Sequence, residues 1–458
     1  MCRFLTTALL LTVPSLAWTM VMDNLHVAYQ WKKLNITFPS RDAQLQAQQS
    51  RTYIPENNVP IGVEVYQDRL FITIPRWKPG VAASLVYLNL TDAPTDSPPL
   101  YPYPNWDQHL KGPDDSLPQI VSASRIRADA CGNLWVLDSG YSDIIEGTSL
   151  TKPKLLIYSL ETDQLLRSYV LPDDQFHQND NYFANIAVED HDCENIFAYL
   201  ADVGTPGLVV YSHKMGRSWQ VRHHYFNIDP IAGDMQVGGV VFQWKDGVIG
   251  LALSAPDIDG YSTLYFHPLT GFDEFSVSTK VLRDENLARN NTANFHQFKR
   301  LGSRGAKGQS GASFLDQESK VLFFASIHLN AVICWRTNNP NYTKESHSRV
   351  FMNNQTMVIP NDIKVDANHT LWVLSSNLPR FMYGDLDYLE YNFRVWKGKV
   401  YEAIKYTACE SKMVVNKTIV EKIKDHLGKN KEVQTASSGD SLRYSLLLVN
   451  ILLVAILP

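Results

Sequence analysis

The sequence predicts an all-β protein, a six-bladed β-propeller with four-stranded blades, an N-terminal arm and a short C-terminal extension. Residues 126–140 (IRADACGNLWVLDSG) form an alternating strand, a polar turn and a second, apolar strand that ends in polar residues. The same pattern recurs in six copies, at 63–74, 126–139, 186–202, 240–254, 312–326 and 363–376. No sustained 3.6-residue periodicity separates the copies, which argues against an α/β barrel.

Further strands that alternate or are rich in aromatic residues follow several copies, so each unit holds about four strands. A pair of irregular β-sandwiches is the alternative fold. We place the propeller at residues 61–410, after an N-terminal arm at 18–60 and before a charged extension at 411–443. Residues 301–311 (LGSRGAKGQSG) are basic and glycine-rich but lack the ending of a phosphate-binding loop, so we expect a loop over one propeller face.

The cysteines and glycosylation motifs indicate an extracellular protein. Residues 1–17 resemble a signal peptide, with Arg3 before a short apolar run and a small-residue cleavage site. Four cysteines remain beyond it, and of the three possible pairings we predict that of sequence neighbours, Cys131–Cys193 and Cys334–Cys409. Seven Asn-x-Thr motifs predict glycosylation, at Asn35, Asn89, Asn290, Asn341, Asn354, Asn368 and Asn416.

The C-terminal tail and the net charge bear on the partners. Residues 444–458 are apolar and follow small residues, an order that resembles a GPI-attachment signal, with a tail anchor or a sticky terminus as the alternatives. The formal net charge is −5, with 42 basic and 47 acidic residues, which argues against a broad nucleic-acid surface. We therefore expect a small-molecule partner and no nucleic acid. The oligomeric state stays open.

Long stretches resemble the insect Yellow and major royal jelly protein family. They are residues 54–90, 100–106 (LYPYPNW), 125–140, 301–310, 360–381 and 387–398. The resemblance implies a secreted six-bladed propeller with a role in melanin and cuticle pigmentation. Some members are similar in converting dopachrome-type aminochromes to dihydroxyindoles. Others bind biogenic amines in the central channel without turnover, and others are structural or nutritive, so a binding protein or a cuticle or eggshell component stays open beside an isomerase.

Polar strand ends around the channel mouth supply the candidate site, because propellers bind ligands there. For an amine we expect a carboxylate from Asp138 or Asp202 and an aromatic wall from Trp77 or Phe183. For an aminochrome we expect His328 as the base. An oxyanion donor completes that chemistry, and the candidates are Arg76 and Asn377, with Asn361 also at the mouth.

A purely structural role for these residues and a different function both compete with this site. An Asp after a buried strand often only caps a turn, and a single His at a strand end is more often structural than catalytic. A calcium-dependent lactonase-type propeller would instead use oxygen ligands such as Glu64, Asn185, Asn361 and Asp362. No Cys/His spacing indicates zinc, and we expect neither a metal nor a cofactor.

Overall fold

The computed structural model describes residues 24–91, 93–110 and 117–410. The predicted signal peptide at 1–17, the extension at 411–443, the tail at 444–458 and the sequon at Asn416 lie outside the described residues. The chain divides into two units after Cys409, and the features below belong to the first. Among the described residues, no helix has the length and apolar character needed to cross a membrane.

Six antiparallel sheets of four strands confirm the predicted propeller. The first strand of each blade lies beside the first strand of the next, and the ring closes between blades 6 and 1. From the channel outward, the strands of blade 1 are Gly62–Tyr66, Arg69–Thr73, Leu85–Asn89 and Tyr101–Pro102; of blade 2, Ala123–Ala128, Asn133–Asp138, Lys154–Ser159 and Leu165–Val170; of blade 3, Phe183–Glu189, Phe197–Asp202, Gly207–Ser212 and Arg217–Val221.

Blades 4 to 6 continue the ring. Blade 4 has Val248–Leu253, Thr263–Pro268, Asp273–Ser278 and Lys299–Ser303; blade 5 has Ser310–Asp316, Val321–Ser326, Ala331–Arg336 and Ser348–Met352; blade 6 has Ile359–Val365, Thr370–Ser376, Phe393–Lys399 and His26–Trp31. Two small hairpins, Tyr141–Asp143 with Thr148–Ser149 and Asp234–Val237 with Val240–Gln243, lie outside the blades. The α-helices are Arg41–Gln49, Thr279–Arg283, Glu285–Arg289, Asn291–Asn294, Leu378–Tyr383 and Val400–Ala403.

The two ends of the propeller chain meet in blade 6. His26–Trp31 pairs antiparallel with Phe393–Lys399 and forms the outer strand of that blade. This strand falls within the stretch that the sequence predicted as a separate arm, so the arm is partly propeller. Backbone hydrogen bonds within blade 6 therefore join residues 26–31 to residues 393–399, which are far apart in the sequence.

Blade 4 differs from the repeat that the sequence predicts. Val240–Gln243 does not form an inner strand but pairs with Asp234–Val237 across a tight turn, in which Gly238 and Gly239 have φ values of 60° and 80°. The inner strand is therefore Val248–Leu253, one strand later than predicted. The starts of the first strands and the ends of the second strands share one face, and in blade 4 this face carries the segment that precedes Val248.

An aspartate in the turn is common to the second and sixth copies. In blade 2, Asp129 accepts hydrogen bonds from the backbone of Cys131 and Asn133 and from the indole of Trp135 at 2.7 Å. In blade 6, Asp366 likewise accepts one from the indole of Trp372 at 2.8 Å. The turn and the buried strand are thus joined by one carboxylate, which requires the Asp and Trp of the shared pattern.

The disulfides Cys131–Cys193 and Cys334–Cys409 are both formed, which confirms the predicted pairing. The first joins the inner turns of blades 2 and 3. The second joins blade 5 to the end of the propeller unit. All six sequon asparagines within the described residues are exposed and can accept a glycan, at Asn35, Asn89, Asn290, Asn341, Asn354 and Asn368.

Candidate functional site

A cavity of about 80 Å³ opens at the channel mouth where the first strands begin. All six blades or the segments that precede them line it, mostly with apolar side chains. It is smaller than the engineered cavities of about 150 Å³ that bind benzene, so a two-ring ligand must extend into the open mouth. We call it the channel cavity. Five residues give it polar character: Trp77, Arg125, Tyr182, Asp246 and Asn361.

Trp77 and Tyr182 form a linked aromatic pair at the mouth. The indole Nε1 of Trp77 donates to the Tyr182 hydroxyl oxygen at 2.7 Å, and the ring centroids lie 6.2 Å apart. Burial raises the pKa of Tyr182, so the phenol keeps its proton at neutral pH. Because the phenol oxygen accepts from Trp77, its own proton is available for a ligand.

Asp246 provides the acidic group of the channel cavity. It precedes the inner strand of blade 4, and in the described residues its carboxylate has neither an ion-pair partner nor a hydrogen-bond donor. Burial raises its pKa to about 6, although Lys245 opposes the shift. An unpaired carboxylate that takes up and releases a proton near neutral pH suits proton transfer, and its charged form suits an ammonium ligand.

Arg125 supplies the positive charge of the cavity floor. Its guanidinium donates to the carbonyl oxygens of Ile61 at 2.6 Å and Asn361 at 2.7 Å, and it lies 3.7 Å from the carboxylate of Asp362. It is 3% exposed. The Asn361 amide in turn donates to the Ser376 hydroxyl and to the Pro60 carbonyl oxygen before blade 1. These bonds fix the floor, so Arg125 acts on a ligand mainly through its field.

A hairpin and a short helix flank the mouth. Phe242 on the hairpin stacks on Tyr383 of the helix Leu378–Tyr383, with centroids 4.9 Å apart. The Arg380 Nε donates to the carbonyl oxygen of Gly238 in the hairpin turn at 3.2 Å. Trp244, which follows the hairpin, lines the channel cavity together with Leu378. The extra hairpin therefore brings an aromatic wall and Asp246 to the mouth.

The carboxylates that the sequence predicted lie at this end of the channel but outside the cavity lining. Asp138 is fully buried and accepts from the backbone amides of Val121, Ser122 and Gly140 at 2.7 to 2.9 Å. Asp202 accepts from the Tyr182 amide at 2.9 Å and from the Thr205 hydroxyl at 2.6 Å. Burial raises the pKa of Asp202 and these hydrogen bonds oppose the shift. Both side chains hold loops in place.

The predicted base and oxyanion donor also lie outside the lining. The guanidinium of Arg76 donates to the carbonyl oxygens of Val121 and His109, and burial lowers its pKa to about 10. His328 is half-buried on the turn after blade 5's second strand, and burial with Lys307 lowers its pKa. Its Nε2 has no partner among the described residues. The structure does not bring these two side chains together.

The remaining predicted ligands divide between the cavity and the core. Trp77 and Asn361 line the channel cavity. Phe183 is fully buried in the core between blades, so its ring is not a wall of the cavity. Asn377 begins the flanking helix, where its buried Oδ1 has no partner among the described residues and lies near Gly238.

The oxygen ligands proposed for calcium are bound to cations or backbone groups. Glu64 pairs with Arg127 at 3.2 Å, and Asp362 pairs with Lys364 at 2.8 Å. The Asn185 amide donates to the carbonyl oxygen of Ile249 at 2.7 Å. No cluster of three or more His, Cys, Asp or Glu suited to a metal occurs in the described part of the chain. The donor set therefore does not fit a calcium ion.

Sequence reasoning missed Asp246, Tyr182 and Trp244. Asp246 and Trp244 both lie within the fourth predicted copy, 240–254. The number of strands could have revealed the error. An inner strand at 240–243 would give blade 4 five strands, of which the last is Lys299–Ser303. Beginning the blade at Val248 restores four and moves Asp246 to the channel mouth.

Comparisons with known proteins match most of the chain to one family. The profile of the family described as Major royal jelly protein matches residues 121–409. Protein yellow of Drosophila subobscura is 39% identical over 408 residues, which cover 88% of this chain and 70% of that one. Protein yellow of Drosophila melanogaster is 38% identical over 412 residues, 89% of this chain and 74% of that one.

Solved structures are more distant. A calcium-binding protein, regucalcin, from Agrobacterium tumefaciens aligns with a TM-score of 0.43 and 11% identity, covering 74% of this chain and 90% of that one. A PQQ-bound aldose sugar dehydrogenase from Streptomyces coelicolor aligns with a TM-score of 0.41 and 10% identity, covering 74% and 94%. Scores this low carry no argument about the site.

Proposed function

Because the chain belongs to the major royal jelly protein family, we propose that it is a secreted protein of melanin-type pigmentation. At the channel cavity it isomerises dopachrome-type aminochromes to dihydroxyindoles. One observation carries the proposal: Asp246, an unpaired carboxylate whose pKa is raised to about 6, lines an aromatic cavity. The disulfides and the exposed sequon asparagines support secretion.

The reaction needs a base and an oxyanion donor but no oxidant, because substrate and product are isomers. Asp246 removes a proton from a carbon of the five-membered ring, and the electron pair of that C–H bond moves into the quinone. A quinone oxygen takes up a proton, and a second C–H proton transferred in the same way completes the dihydroxyindole. A positioned base of matched pKa contributes about 10²- to 10⁴-fold to such a step.

Tyr182 and Arg125 stabilise the negative charge that develops on the quinone oxygen. The Tyr182 hydroxyl accepts from Trp77, which leaves its proton to donate to a quinone oxygen. Arg125 adds a positive field from the cavity floor while its hydrogen bonds keep it in place. Trp77 and Trp244 offer flat surfaces for the aminochrome ring.

The test follows the decay of dopachrome absorbance with purified protein. We expect a rate above the spontaneous one, and a loss of at least about 10²-fold in the Asp246→Asn variant. The matched control is Asp259→Asn, an exposed Asp between the first and second strands of blade 4, on the opposite face. Wild-type protein that leaves the decay unchanged, or an Asp246→Asn variant as active as the control, would contradict the proposal.

The same carboxylate favours a second candidate, a binding protein for biogenic amines. An ammonium group would pair with ionised Asp246, and Trp77 and Trp244 would add cation–π contacts. Calorimetry with dopamine decides between the candidates. Saturable binding that Asp246→Asn weakens, together with no effect on dopachrome decay, selects the binding protein.

A further inference from the structure

We propose that a basic groove at blade 5 binds a sulfated polysaccharide. The groove has a volume of about 770 Å³, several times that of the channel cavity. Its walls come from residues 304–308 between blades 4 and 5, the second and third strands of blade 5, residues 344–349 and residues 406–407. One turn of blade 5 separates it from the channel, since Ser326 lines the groove and Ile327 the channel cavity.

Uncompensated positive charge sets the groove apart. Lys307, Lys344 and Arg349 line it, all three are exposed, and within the described ranges none forms an ion pair. No Asp or Glu is part of its lining, although the exposed Glu345 adjoins Lys344. A fourth cation, Arg304, is neutralised by Glu274 at 2.7 Å. The groove thus presents three free cations on a protein whose formal net charge is −5.

Internal bonds hold these cations on a fixed backbone. The Arg304 Nε donates to the carbonyl oxygen of Gly308 at 2.6 Å, which closes the loop that carries Lys307. Gly302 forms a parallel bridge with Tyr342, two residues before Lys344. A Cβ on Gly302 would lie 2.0 Å from the Tyr342 carbonyl oxygen, so this approach needs glycine. A preformed groove loses less conformational entropy when it binds.

The shape and the charge favour an acidic polysaccharide. A concave groove with several cations suits a chain with repeated anionic groups better than a flat membrane surface. Sulfates are strong acids, so they stay charged at every pH at which the protein is folded. Burial and Arg304 lower the pKa of the groove residue His347 to about 4, so His347 adds no charge at neutral pH and binding there rests on the lysines and the arginine.

The test compares two triple variants with the same net charge. The groove variant is Lys307→Gln, Lys344→Gln and Arg349→Gln. The control is Arg41→Gln, Lys214→Gln and Arg222→Gln, exposed cations outside the groove lining. Binding of a heparin octasaccharide is measured by calorimetry at about 0.15 M salt, where long-range charge effects are screened. We expect at least about tenfold weaker binding by the groove variant and less than about twofold by the control.

Each other outcome overturns the proposal. Equal losses in both variants would mean that only net charge matters, and no octasaccharide binding by wild type would leave the groove without this ligand. A desulfated octasaccharide, or a single-stranded oligonucleotide of equal charge, that binds as tightly would refute the sulfated-sugar assignment. All six positions lie outside the channel cavity, so dopachrome conversion and thermal stability report separately on the proposed function and on folding.

Discussion

Trp77 and Tyr182 are joined across the channel mouth by a hydrogen bond of 2.7 Å from the indole nitrogen to the phenol oxygen. Trp77 follows the second strand of blade 1, and Tyr182 precedes the first strand of blade 3. The bond therefore spans the width of blade 2 at the rim. It fixes which way the Tyr182 hydroxyl can donate.

Trp77→Phe should slow aminochrome conversion about fivefold with little change in KM. An aromatic ring stays, but the Tyr182 hydroxyl loses the donor that orients it, which costs about 1 kcal/mol of transition-state stabilisation. Tyr182→Phe should cost more, because it removes the donor to the quinone oxygen itself. The double variant should be no slower than Tyr182→Phe, and fully additive losses would contradict a shared role.

Asp246 should make conversion depend on pH with an apparent pKa near 6. The carboxylate is a base only when ionised, so kcat/KM should rise as the pH rises through about 6. A profile that is flat between pH 5 and 7, or one that falls, would exclude Asp246 as the base. Rates need correction for spontaneous decay at each pH.

The same shift predicts a stability cost of Asp246. Its pKa rises from 3.8 to about 6 on folding, so the folded protein holds the proton more tightly and becomes less stable as the pH rises through that interval. Asp246→Asn should therefore raise the melting temperature at pH 7.5, by about 2 °C, and not at pH 3.5. A variant that melts lower than wild type at pH 7.5 would show that the charge is stabilised by a partner.

His109 should make the fold sensitive to acid. It is 2% exposed, its Nδ1 accepts from the Ser84 amide and its Nε2 lies 2.9 Å from the Tyr103 carbonyl oxygen. Burial and then Arg76 lower its pKa from 6.5 to about 3. Between pH 6.5 and pH 3 this histidine is protonated in the unfolded chain but stays neutral in the folded protein. The free energy of unfolding is therefore highest above pH 6.5 and falls towards pH 3 by up to about 1.4 kcal/mol per pH unit.

Chemical denaturation between pH 7 and pH 4 measures this slope. The His109→Gln variant keeps a neutral polar side chain that does not titrate. Its free energy of unfolding should fall less steeply with pH than that of the wild type, by up to about 1.4 kcal/mol per pH unit, whatever its stability at pH 7. His26, an exposed histidine, gives the matched control His26→Gln. An unchanged slope in His109→Gln would show that other groups cause the acid sensitivity.

The fold was predictable because each blade repeats one local pattern. Alternation, polar turns and buried runs are properties of neighbouring residues, and Asp129 with Trp135 shows how strongly the turn constrains them. The fourth blade was misaligned because its hairpin, Val240–Gln243, has the same alternation as an inner strand. Pairing of His26–Trp31 with Phe393–Lys399 joins distant parts of the sequence, and no local pattern reveals it.

The site was predictable only in part, because a carboxylate at the end of a strand can either face a ligand or accept hydrogen bonds from its own loop. Asp138 and Asp202 were chosen for their position, yet their oxygens are saturated by amides and hydroxyls of their own loops. Asp246 lies at the same face without such donors. The difference depends on which loop amides point inward, and the sequence does not contain it. Trp77 and Asn361 line the cavity because their blades follow the predicted alignment, and their role in ligand binding stays a prediction.

Asp138→Asn should therefore reduce stability rather than alter the chemistry. An amide in place of the carboxylate offers one acceptor oxygen fewer, and at least one of the Val121, Ser122 and Gly140 amides loses its partner. An unsatisfied buried donor costs about 1–3 kcal/mol. Thermal melting measures the loss, and kcat per folded molecule should stay near the wild-type value. A large fall in kcat with normal melting would return Asp138 to the catalytic group.

Removal of the Cys131–Cys193 disulfide should destabilise the propeller without affecting the channel cavity. The bond closes a loop of 62 residues, and its loss restores chain entropy to the unfolded state, worth about 4 kcal/mol. Both cysteines lie in turns between first and second strands, on the face opposite the cavity. The Cys131→Ser, Cys193→Ser variant should unfold at lower denaturant while aminochrome conversion stays unchanged below the transition.

The Cys334–Cys409 disulfide gives the matched comparison. It closes a longer loop of 75 residues, but one of its cysteines lies at the end of the propeller unit. Loop entropy alone predicts nearly equal losses, because the cost grows only with the logarithm of loop length. A clearly smaller loss for Cys334→Ser, Cys409→Ser would mean that the end of the unit detaches locally while the blades persist. Equal losses would mean that closure at blade 5 is as cooperative as closure between blades 2 and 3.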